Sequence, residues 1–295
     1  MKNVVMTIGV FDGVHRGHQE IFHKVVRHAK DCGGTSLVYT FHPHPARLLV
    51  PQTAPPMIMT QRQKKEAILK TGIQKIIIQK FTREFSRLSA QDFFDRILLG
   101  QIRPQRIFVG YNFTFGHHRS GTVETLEVMG KKAGIRVIVV EPFLWKETLV
   151  SSTQIRSLLS QGDVRKAATL LGRAYRMEGK VVKGRGIGKK ILGIPTANLK
   201  TENDLILPLG VYAAMVSLGK GRYPGVTNIG HSPTFGPGHL SIETHLLDIQ
   251  KKILGKRIEV EFVRRLRDEI PFSSPNELAR QIQNDADAAR KILKA

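Results

Sequence analysis

The sequence contains one cysteine, few aromatic residues and no long apolar run. Because Cys32 is the only cysteine among 295 residues, an intrachain disulfide and a zinc site built from cysteines are both excluded. No apolar run approaches the ~18–20 residues that a membrane-spanning helix needs. The first six residues lack the pattern of a signal peptide. Together these features predict a cytoplasmic protein that does not enter a membrane.

Acidic residues are also scarce relative to basic ones. The chain has 46 Lys+Arg against 24 Asp+Glu, a formal charge of +22, which indicates a polyanionic partner such as nucleic acid or a phosphate-bearing small molecule. The excess is evenly spread, since residues 1–160 carry 23 basic and 11 acidic residues and residues 161–295 carry 23 and 13. Aromatic residues make up 7% and do not alternate with basic ones. We therefore expect no nucleic-acid partner, and interpret much of the charge as solvated surface.

The first half of the chain alternates between strand and helix patterns. The predicted strands are 4–10, 37–41, 76–78, 107–109 and 137–140, and the predicted helices are 19–30, 62–70, 90–99 and 122–132. Repeated strand–helix–strand units predict a parallel sheet with helices on both faces. Ligands of such sheets bind beyond the carboxyl ends of the strands.

The second half of the chain has a different pattern. After a helical segment at 157–171, interrupted at 161–163, short strand-like runs are separated by Gly, Pro and Asn until a final helix at 274–293. The predicted strands are 176–183, 211–217, 225–229, 241–247 and 257–263. This spacing predicts an antiparallel barrel or sandwich closed by a C-terminal helix. We place the boundary near residue 168, which gives domains 1–168 and 169–295.

The strongest local signal is the segment 9–18, Gly-Val-Phe-Asp-Gly-Val-His-Arg-Gly-His, which leaves the first predicted strand and opens the first predicted helix. Its glycines let the backbone approach a ligand, and a helix N-terminus offers unpaired N–H groups to phosphate. His15 and His18 are three residues apart and can both face that point. They can donate hydrogen bonds to charge developing on a phosphorus centre. The alternative interpretation is two surface histidines after a turn.

This segment resembles the His-x-Gly-His signature of nucleotidyltransferases, which transfer AMP or CMP from a nucleoside triphosphate and release pyrophosphate. A second element of that superfamily holds the triphosphate after the last strand. Residues 150–156, Val-Ser-Ser-Thr-Gln-Ile-Arg, resemble it, with three hydroxyls at a helix start followed by an arginine. Taken alone, the run of hydroxyls is typical of an ordinary helix cap.

Two intervening segments narrow the family. Residues 40–45 (Thr-Phe-His-Pro-His-Pro) and 109–116 (Val-Gly-Tyr-Asn-Phe-Thr-Phe-Gly) follow the second and fourth predicted strands. With the two motifs above they resemble the FAD synthetase (FMN adenylyltransferase) domain of bacterial bifunctional riboflavin kinase/FAD synthetases. That resemblance implies catalytic roles for His15 and His18, and for Asn112 a contact with FMN and Mg²⁺. The further binding residues that it implies are Gly9, Phe11, Asp12, Gly17, Ser151, Ser152, Thr153 and Arg156.

The second half carries signatures of its own. Residues 193–198, Gly-Ile-Pro-Thr-Ala-Asn, resemble the Pro-Thr-Ala-Asn signature of riboflavin kinases. Thr196 and Asn198 offer hard oxygen ligands suited to Mg²⁺ that carries nucleotide phosphates. The turn 184–190 before them is rich in glycine and lysine but matches no standard phosphate-loop spacing, so a surface hairpin is the alternative. The resemblance implies nucleotide contacts there from Gly184, Gly188 and Lys190, with Lys189 as the alternative to Lys190.

Two further residues complete the second site. Residues 243–248, Glu-Thr-His-Leu-Leu-Asp, resemble the Glu-x-His-x-x-Asp pattern of riboflavin kinases, which implies that Glu243 is the catalytic base. A primary hydroxyl that attacks ATP needs such a positioned carboxylate. The alternative is a charged residue on the outer face of a strand. Residues 264–269 resemble the family's arginine segment beside the flavin, where Arg267 is the predicted contact.

The resemblance covers essentially the whole chain, with the motifs in the family's order. It implies an α/β protein with an N-terminal Rossmann-like nucleotidyltransferase domain, a C-terminal antiparallel β-barrel kinase domain and a C-terminal helix. The expected reactions are phosphorylation of riboflavin to FMN and adenylylation of FMN to FAD, with ATP as co-substrate and Mg²⁺ as cofactor. The expected partners are these small molecules; the sequence leaves the oligomeric state open. The alternatives are a chain with only one of the activities and a nucleic-acid-binding protein.

Overall fold

The computed structural model describes residues 3–183, 196–231, 240–247 and 253–294. The chain divides into two compact units, Met1–Ser152 and Thr153–Ala295. This division assigns the helical segment before residue 172 to the second unit. The predicted boundary at residue 168 separates functional domains, which the division into compact units does not test, and it stays a prediction.

The first unit is built on a five-stranded parallel sheet. Its strands are β1 (Val4–Ile8), β2 (Thr35–His42), β3 (Lys75–Lys80), β4 (Pro104–Gly110) and β5 (Arg136–Val140), in the order β3-β2-β1-β4-β5. The central strand β1 pairs with β2 on one side and with β4 on the other. All five of its residues are buried, as expected for a largely apolar strand in a covered parallel sheet.

Helices cover both faces of this sheet. They are α1 (Arg16–Asp31), α2 (Pro45–Leu49), α3 (Gln61–Leu69), α4 (Arg83–Ser86), α5 (Ala90–Asp92), which runs into a π-helix at Phe93–Ile102, a 3₁₀ turn at His117–Arg119, and α6 (Val123–Lys132). Alternate residues of β1 enter different cores. Val4 and Met6 lie in the same core as Leu126 of α6, whereas Val5 lies in the core that contains Phe22 of α1. The predicted α/β architecture of the first half is therefore confirmed.

A short hairpin follows β5. Its strands β6 (Leu144–Trp145) and β7 (Thr148–Leu149) form a separate two-stranded sheet. The sequence analysis did not predict it, because two-residue strands are too short for an alternating apolar pattern.

The second unit is a closed six-stranded barrel preceded by two helices, α7 (Ser152–Ser160) and α8 (Val164–Leu171). Its strands are β8 (Tyr175–Val182), β9 (Thr196–Thr201), β10 (Gly210–Leu218), β11 (Gly221–His231), β12 (Leu240–Leu246) and β13 (Arg257–Arg267), in the order β10-β11-β12-β9-β8-β13. Every pairing is antiparallel. Of the two predicted architectures, the barrel is therefore the one formed.

The C-terminal helix α9 (Pro275–Leu293) packs on the barrel. Ser274 caps it, with its side chain accepting a hydrogen bond from the Glu277 N–H. Ala286 and Ala289 of α9 lie in one core with Ala213 of β10. Across the described ranges of the chain, no helix is both long and apolar enough to span a membrane.

Candidate active sites

The loop between β1 and α1 has an unusual backbone. Phe11 and Val14 have φ angles of +54° and +41°, which are uncommon for residues other than glycine and above all for β-branched valine. The Thr40 hydroxyl at the end of β2 donates a hydrogen bond to the Val10 carbonyl at 3.0 Å. A strained backbone held by its surroundings is often found at a functional site.

The two predicted catalytic histidines meet at the start of α1. His15 caps the helix, with its Nδ1 accepting a hydrogen bond from the His18 N–H at 3.4 Å. The two imidazole rings are stacked, with centroids 3.6 Å apart, and the Phe11 ring meets His18 edge-on at 5.2 Å. Because Nδ1 of His15 accepts a bond, the proton of the neutral ring lies on Nε2, where it can be donated to a ligand.

Two glycines lie close against these rings. A Cβ on Gly17 would lie 3.3 Å from the His15 ring, and one on Gly9 would lie 2.7 Å from the Phe11 ring. A larger residue at Gly9 would displace the Phe11 ring, and one at Gly17 would crowd the His15 ring. Four residues predicted from the motif thus pack in two pairs, Gly9 against Phe11 and Gly17 against His15.

Asp12 connects this loop to two other segments. Its carboxylate is buried, and Oδ2 accepts a hydrogen bond from the Ile58 N–H at 3.0 Å. Its main-chain carbonyl accepts a hydrogen bond from the Ser152 hydroxyl at 2.8 Å. The structure therefore brings the predicted residue Ser152, with its half-buried neighbour Ser151, next to the histidine loop.

Sequence reasoning missed Lys64, which lies beneath the same loop. Its Nζ donates hydrogen bonds to the carbonyls of Val10 and Phe41 and to the Thr40 hydroxyl, at 3.2–3.3 Å. Burial lowers the pKa of this amine to about 8, and the nearby Asp12 carboxylate partly opposes the shift. Lys64 is one turn before the buried Ile68 and shares its face of α3, but the signal in the sequence was weak because a lysine at such a position usually extends its amine into solvent.

The other predicted residues of the first site are more exposed. Asn112 is exposed two residues beyond β4, at the edge where the loop after β1 also lies, because β1 and β4 are parallel neighbours. Thr153 and Arg156 lie on α7 in the second unit, exposed and half-buried respectively. The nucleotide contacts of all three stay predictions.

In the barrel, the register aligns three predicted residues. Glu243 of β12 lies opposite Asn198 of β9 on one side and opposite Asn228 of β11 on the other. Asn228 lies opposite Val211 of β10, which in turn lies opposite Arg267 of β13. Because residues directly opposite in antiparallel strands share a face, these five form one row across the barrel surface.

This row combines a carboxylate that can act as a base with side-chain oxygens that can bind a metal ion. Glu243 is half-buried, and burial raises the pKa of its carboxyl group above the usual range. Asn198 is 8% exposed, and Thr196, two residues earlier, lies on the same face opposite His245. A hydroxyl and an amide oxygen therefore lie on the same face of the barrel as the carboxylate.

Arg267 is bound to the C-terminal helix. Its Nε donates to Oδ1 of Asp285 at 3.0 Å and its Nη2 donates to Oδ2 at 2.8 Å, a two-point ion pair between β13 and α9. Sequence reasoning missed Asp285, although the small residues Ala286 and Ala289 beside it mark the packed face of α9. Gly184, Gly188, Lys189 and Lys190 lie outside the described residues.

Comparison with known proteins matches each half of the chain separately. Residues 1–154 match the family model described as FAD synthetase, and residues 171–293 match the model described as riboflavin kinase. A bifunctional riboflavin kinase/FMN adenylyltransferase from Buchnera aphidicola is 35% identical over 99% of this chain and 94% of its own length. A protein of the same description from Bacillus subtilis is 36% identical over 97% of this chain and 91% of its own.

A solved structure is similar over almost its whole length. It is described as a macrolide-efflux protein from Streptococcus pneumoniae and matches with a TM-score of 0.88 and 28% identity, over 98% of this chain and 95% of that one.

Proposed function

The chain belongs to the family of bifunctional riboflavin kinases/FMN adenylyltransferases, and on that premise we propose that it makes FMN from riboflavin and then FAD from FMN. The C-terminal barrel transfers the γ-phosphoryl group of ATP to riboflavin, which gives FMN and ADP. The N-terminal unit joins FMN to the AMP portion of a second ATP, which gives FAD and pyrophosphate. The observation that carries this proposal is that each unit holds its own cluster of motif residues.

In the N-terminal site, the reaction needs stabilised charge rather than a covalent intermediate. A phosphate oxygen of FMN attacks the α-phosphorus of ATP, and the bond to the bridging oxygen breaks so that pyrophosphate leaves with its electron pair. The stacked His15 and His18 donate hydrogen bonds to the oxygens that gain charge. Ser152, which is bound to the Asp12 carbonyl, binds the departing phosphates, and the motif resemblance implies the same role for Thr153 and Arg156.

In the barrel site, Glu243 acts as the general base. Its carboxylate accepts the proton of the primary ribityl hydroxyl as that oxygen attacks the γ-phosphorus of ATP. Thr196 and Asn198 fit Mg²⁺, because both offer hard oxygens on the face that Glu243 shares. When bound there, Mg²⁺ offsets the negative charge of the phosphates. Arg267, at the other end of the row, contacts the flavin.

Three further features belong to the proposal. Asn112 is a second candidate oxygen ligand, beyond β4 in the N-terminal site. The functional domains are 1–168 and 169–295. The protein works in the cytoplasm, in keeping with its single cysteine.

Two single substitutions test the assignment of sites. His18→Ala should let FMN accumulate from riboflavin and ATP while FAD formation falls about 10²–10³-fold, the usual effect of one lost electrostatic contact in a transition state. Glu243→Gln should stop FMN formation but leave FAD formation from supplied FMN intact. Both products are followed by chromatography.

Matched controls are available on the same helix as His18 and on another strand of the same barrel as Glu243. His23→Ala changes an exposed histidine of α1, and Glu261→Gln changes a half-buried carboxylate of β13, so neither should alter either product. If His18→Ala stops FMN formation, or Glu243→Gln stops FAD formation from FMN, the assignment of reactions to units is wrong. If the unaltered chain releases no pyrophosphate from FMN and ATP, the N-terminal reaction itself is wrong.

A further inference from the structure

The β6–β7 hairpin lies against the first turn of α1. The guanidinium carbon of Arg16, the first residue of the helix, is 4.2 Å from the centroid of the Trp145 ring on β6. Next to this pair, the Phe143 side chain is so close to Gly17 that a Cβ there would lie 3.4 Å from the Phe143 Cβ. The hairpin is closed by a hydrogen bond from the Val150 N–H to the Phe143 carbonyl at 3.0 Å. It therefore has a defined position beside the histidine motif.

Arg16 places positive charge at the N-terminal end of α1. The first turn contains no acidic residue, and Arg16 lies there together with the His15 cap. A cation at a helix N-terminus is repelled by the positive end of the helix dipole. A bound phosphate group would attract both the Arg16 guanidinium and the positive end of the helix dipole. Without phosphate, other contacts must hold Arg16 in place.

The aromatic face of Trp145 supplies such a contact. A guanidinium over an indole ring is attracted by the ring quadrupole, and tryptophan is the strongest aromatic partner in this respect. The Trp145 ring is half-buried, so the contact is partly shielded from water. The hairpin also leads directly into Ser151 and Ser152, and the Ser152 hydroxyl is bound to the Asp12 carbonyl of the histidine loop. One segment therefore carries both the ring that holds Arg16 and the hydroxyls of the phosphate site.

We propose that Trp145 is a positioning residue that holds the Arg16 guanidinium at the start of α1, where Arg16 binds the phosphates of ATP that leave as pyrophosphate. This inference rests on the proposed adenylyl transfer and adds two residues to it. Arg16 joins His15 and His18 as a phosphate contact, and Trp145 acts through Arg16 without touching the substrate.

The first test uses tryptophan fluorescence. Trp145 is the only tryptophan of the chain, so its emission reports on the N-terminal unit alone. Pyrophosphate with Mg²⁺ should change this emission in the unaltered protein. Arg16→Ala should weaken the apparent affinity about ten- to a hundredfold, as expected for the loss of a charge-assisted hydrogen bond. An unchanged titration curve in Arg16→Ala would overturn the role of Arg16.

The second test separates positioning from folding. Trp145→Ala should raise the KM for ATP in FAD formation about three- to tenfold, with the KM for FMN unchanged, and Trp145→Phe should recover most of the loss because it keeps an aromatic face. Leu149→Ala, on the exposed side of the same hairpin, is the matched control. FMN formation by the same preparations shows that the chain is folded.

The outcomes distinguish this inference from the proposed function. If the unaltered protein makes FAD but Trp145→Ala has a normal KM for ATP, only the inference fails. It also fails if Trp145→Phe is as impaired as Trp145→Ala, because the aromatic face is then not what matters. If the unaltered protein makes no FAD, the proposed function fails, and the pyrophosphate titration still decides whether Arg16 binds phosphate.

Discussion

At the scale of single residues, the N-terminal site depends on buried polar groups that hold its backbone in place. Lys64 is 7% exposed and holds together the ends of β1 and β2 through the carbonyls of Val10 and Phe41. The Asp12 carboxylate nearby fixes the Ile58 backbone. The reactive histidines thus sit on a loop whose unusual backbone is held from below by buried polar contacts.

Replacement of Lys64 should damage this support. Lys64→Met keeps much of the side-chain volume but removes the three hydrogen bonds of the amine, so that the Val10 carbonyl keeps only its bond from the Thr40 hydroxyl. We expect it to lower thermal stability by about 1–3 kcal/mol and FAD formation about tenfold, with FMN formation unchanged. The matched control is Lys65→Met, because Lys65 is the next residue and is exposed. Thermal unfolding and the rates of both reactions are the measurements, and equal effects of the two substitutions would contradict the role given to Lys64.

At the scale of helices and strands, apolar spacing predicted most elements because it reports burial directly. The spacing of Ile21, Phe22, Val25 and Ala29 predicted α1, and all four are buried. β9 was not predicted as a strand, since its sequence Thr-Ala-Asn-Leu-Lys-Thr is largely polar and barrel closure buries part of it. The predicted helix at 90–99 forms mostly as the π-helix Phe93–Ile102, whose hydrogen bonds the apolar pattern does not specify.

The functional sites likewise divide into residues that the sequence predicted and residues that it did not. Residues of contiguous motifs, such as His15 and His18, were found because a short segment carries the whole signal. Lys64, Trp145 and Asp285 were missed because each acts through a contact with a residue far away in sequence. Such pairs become visible only when the chain is folded.

The docking of α9 should depend on one ion pair. Asp285 is 7% exposed and pairs with Arg267, whereas Asp287 on the same helix is 53% exposed and pairs with Arg290. Asp285→Ala leaves a half-buried guanidinium without its carboxylate, so we expect the C-terminal unit to lose about 2–4 kcal/mol of stability. Asp287→Ala gains the same helix propensity and should cost less than about 0.5 kcal/mol.

Thermal or denaturant unfolding of both variants tests this prediction. Because Arg267 is the predicted flavin contact, Asp285→Ala should also raise the KM for riboflavin, while Asp287→Ala should not. Equal stability of the two variants would show that α9 is held by its apolar face alone, through residues such as Ala286 and Ala289.

At the scale of the whole molecule, the charge of +22 is shared by both halves of the chain. Both proposed reactions use ATP, and the second also uses the anion FMN. A positive field over both units raises the local concentration of such substrates. Most of the basic residues nevertheless lie outside the motifs, so the field is a property of the surface and adds to the short-range contacts of the two sites.

Ionic strength should separate this field from the short-range contacts, because riboflavin carries no charge whereas ATP and FMN do. Raising NaCl from about 50 to about 300 mM shortens the screening length from roughly 14 to 6 Å. We therefore expect the KM for ATP in both reactions, and the KM for FMN, to rise several-fold, while the KM for riboflavin stays constant. Steady-state kinetics with each substrate varied in turn measures this, with sucrose as the uncharged control for effects of solute on folding. A rise in the KM for riboflavin equal to that for ATP would mean that salt acts on the structure of the barrel, and a constant KM for ATP would mean that the charge does not attract the substrates.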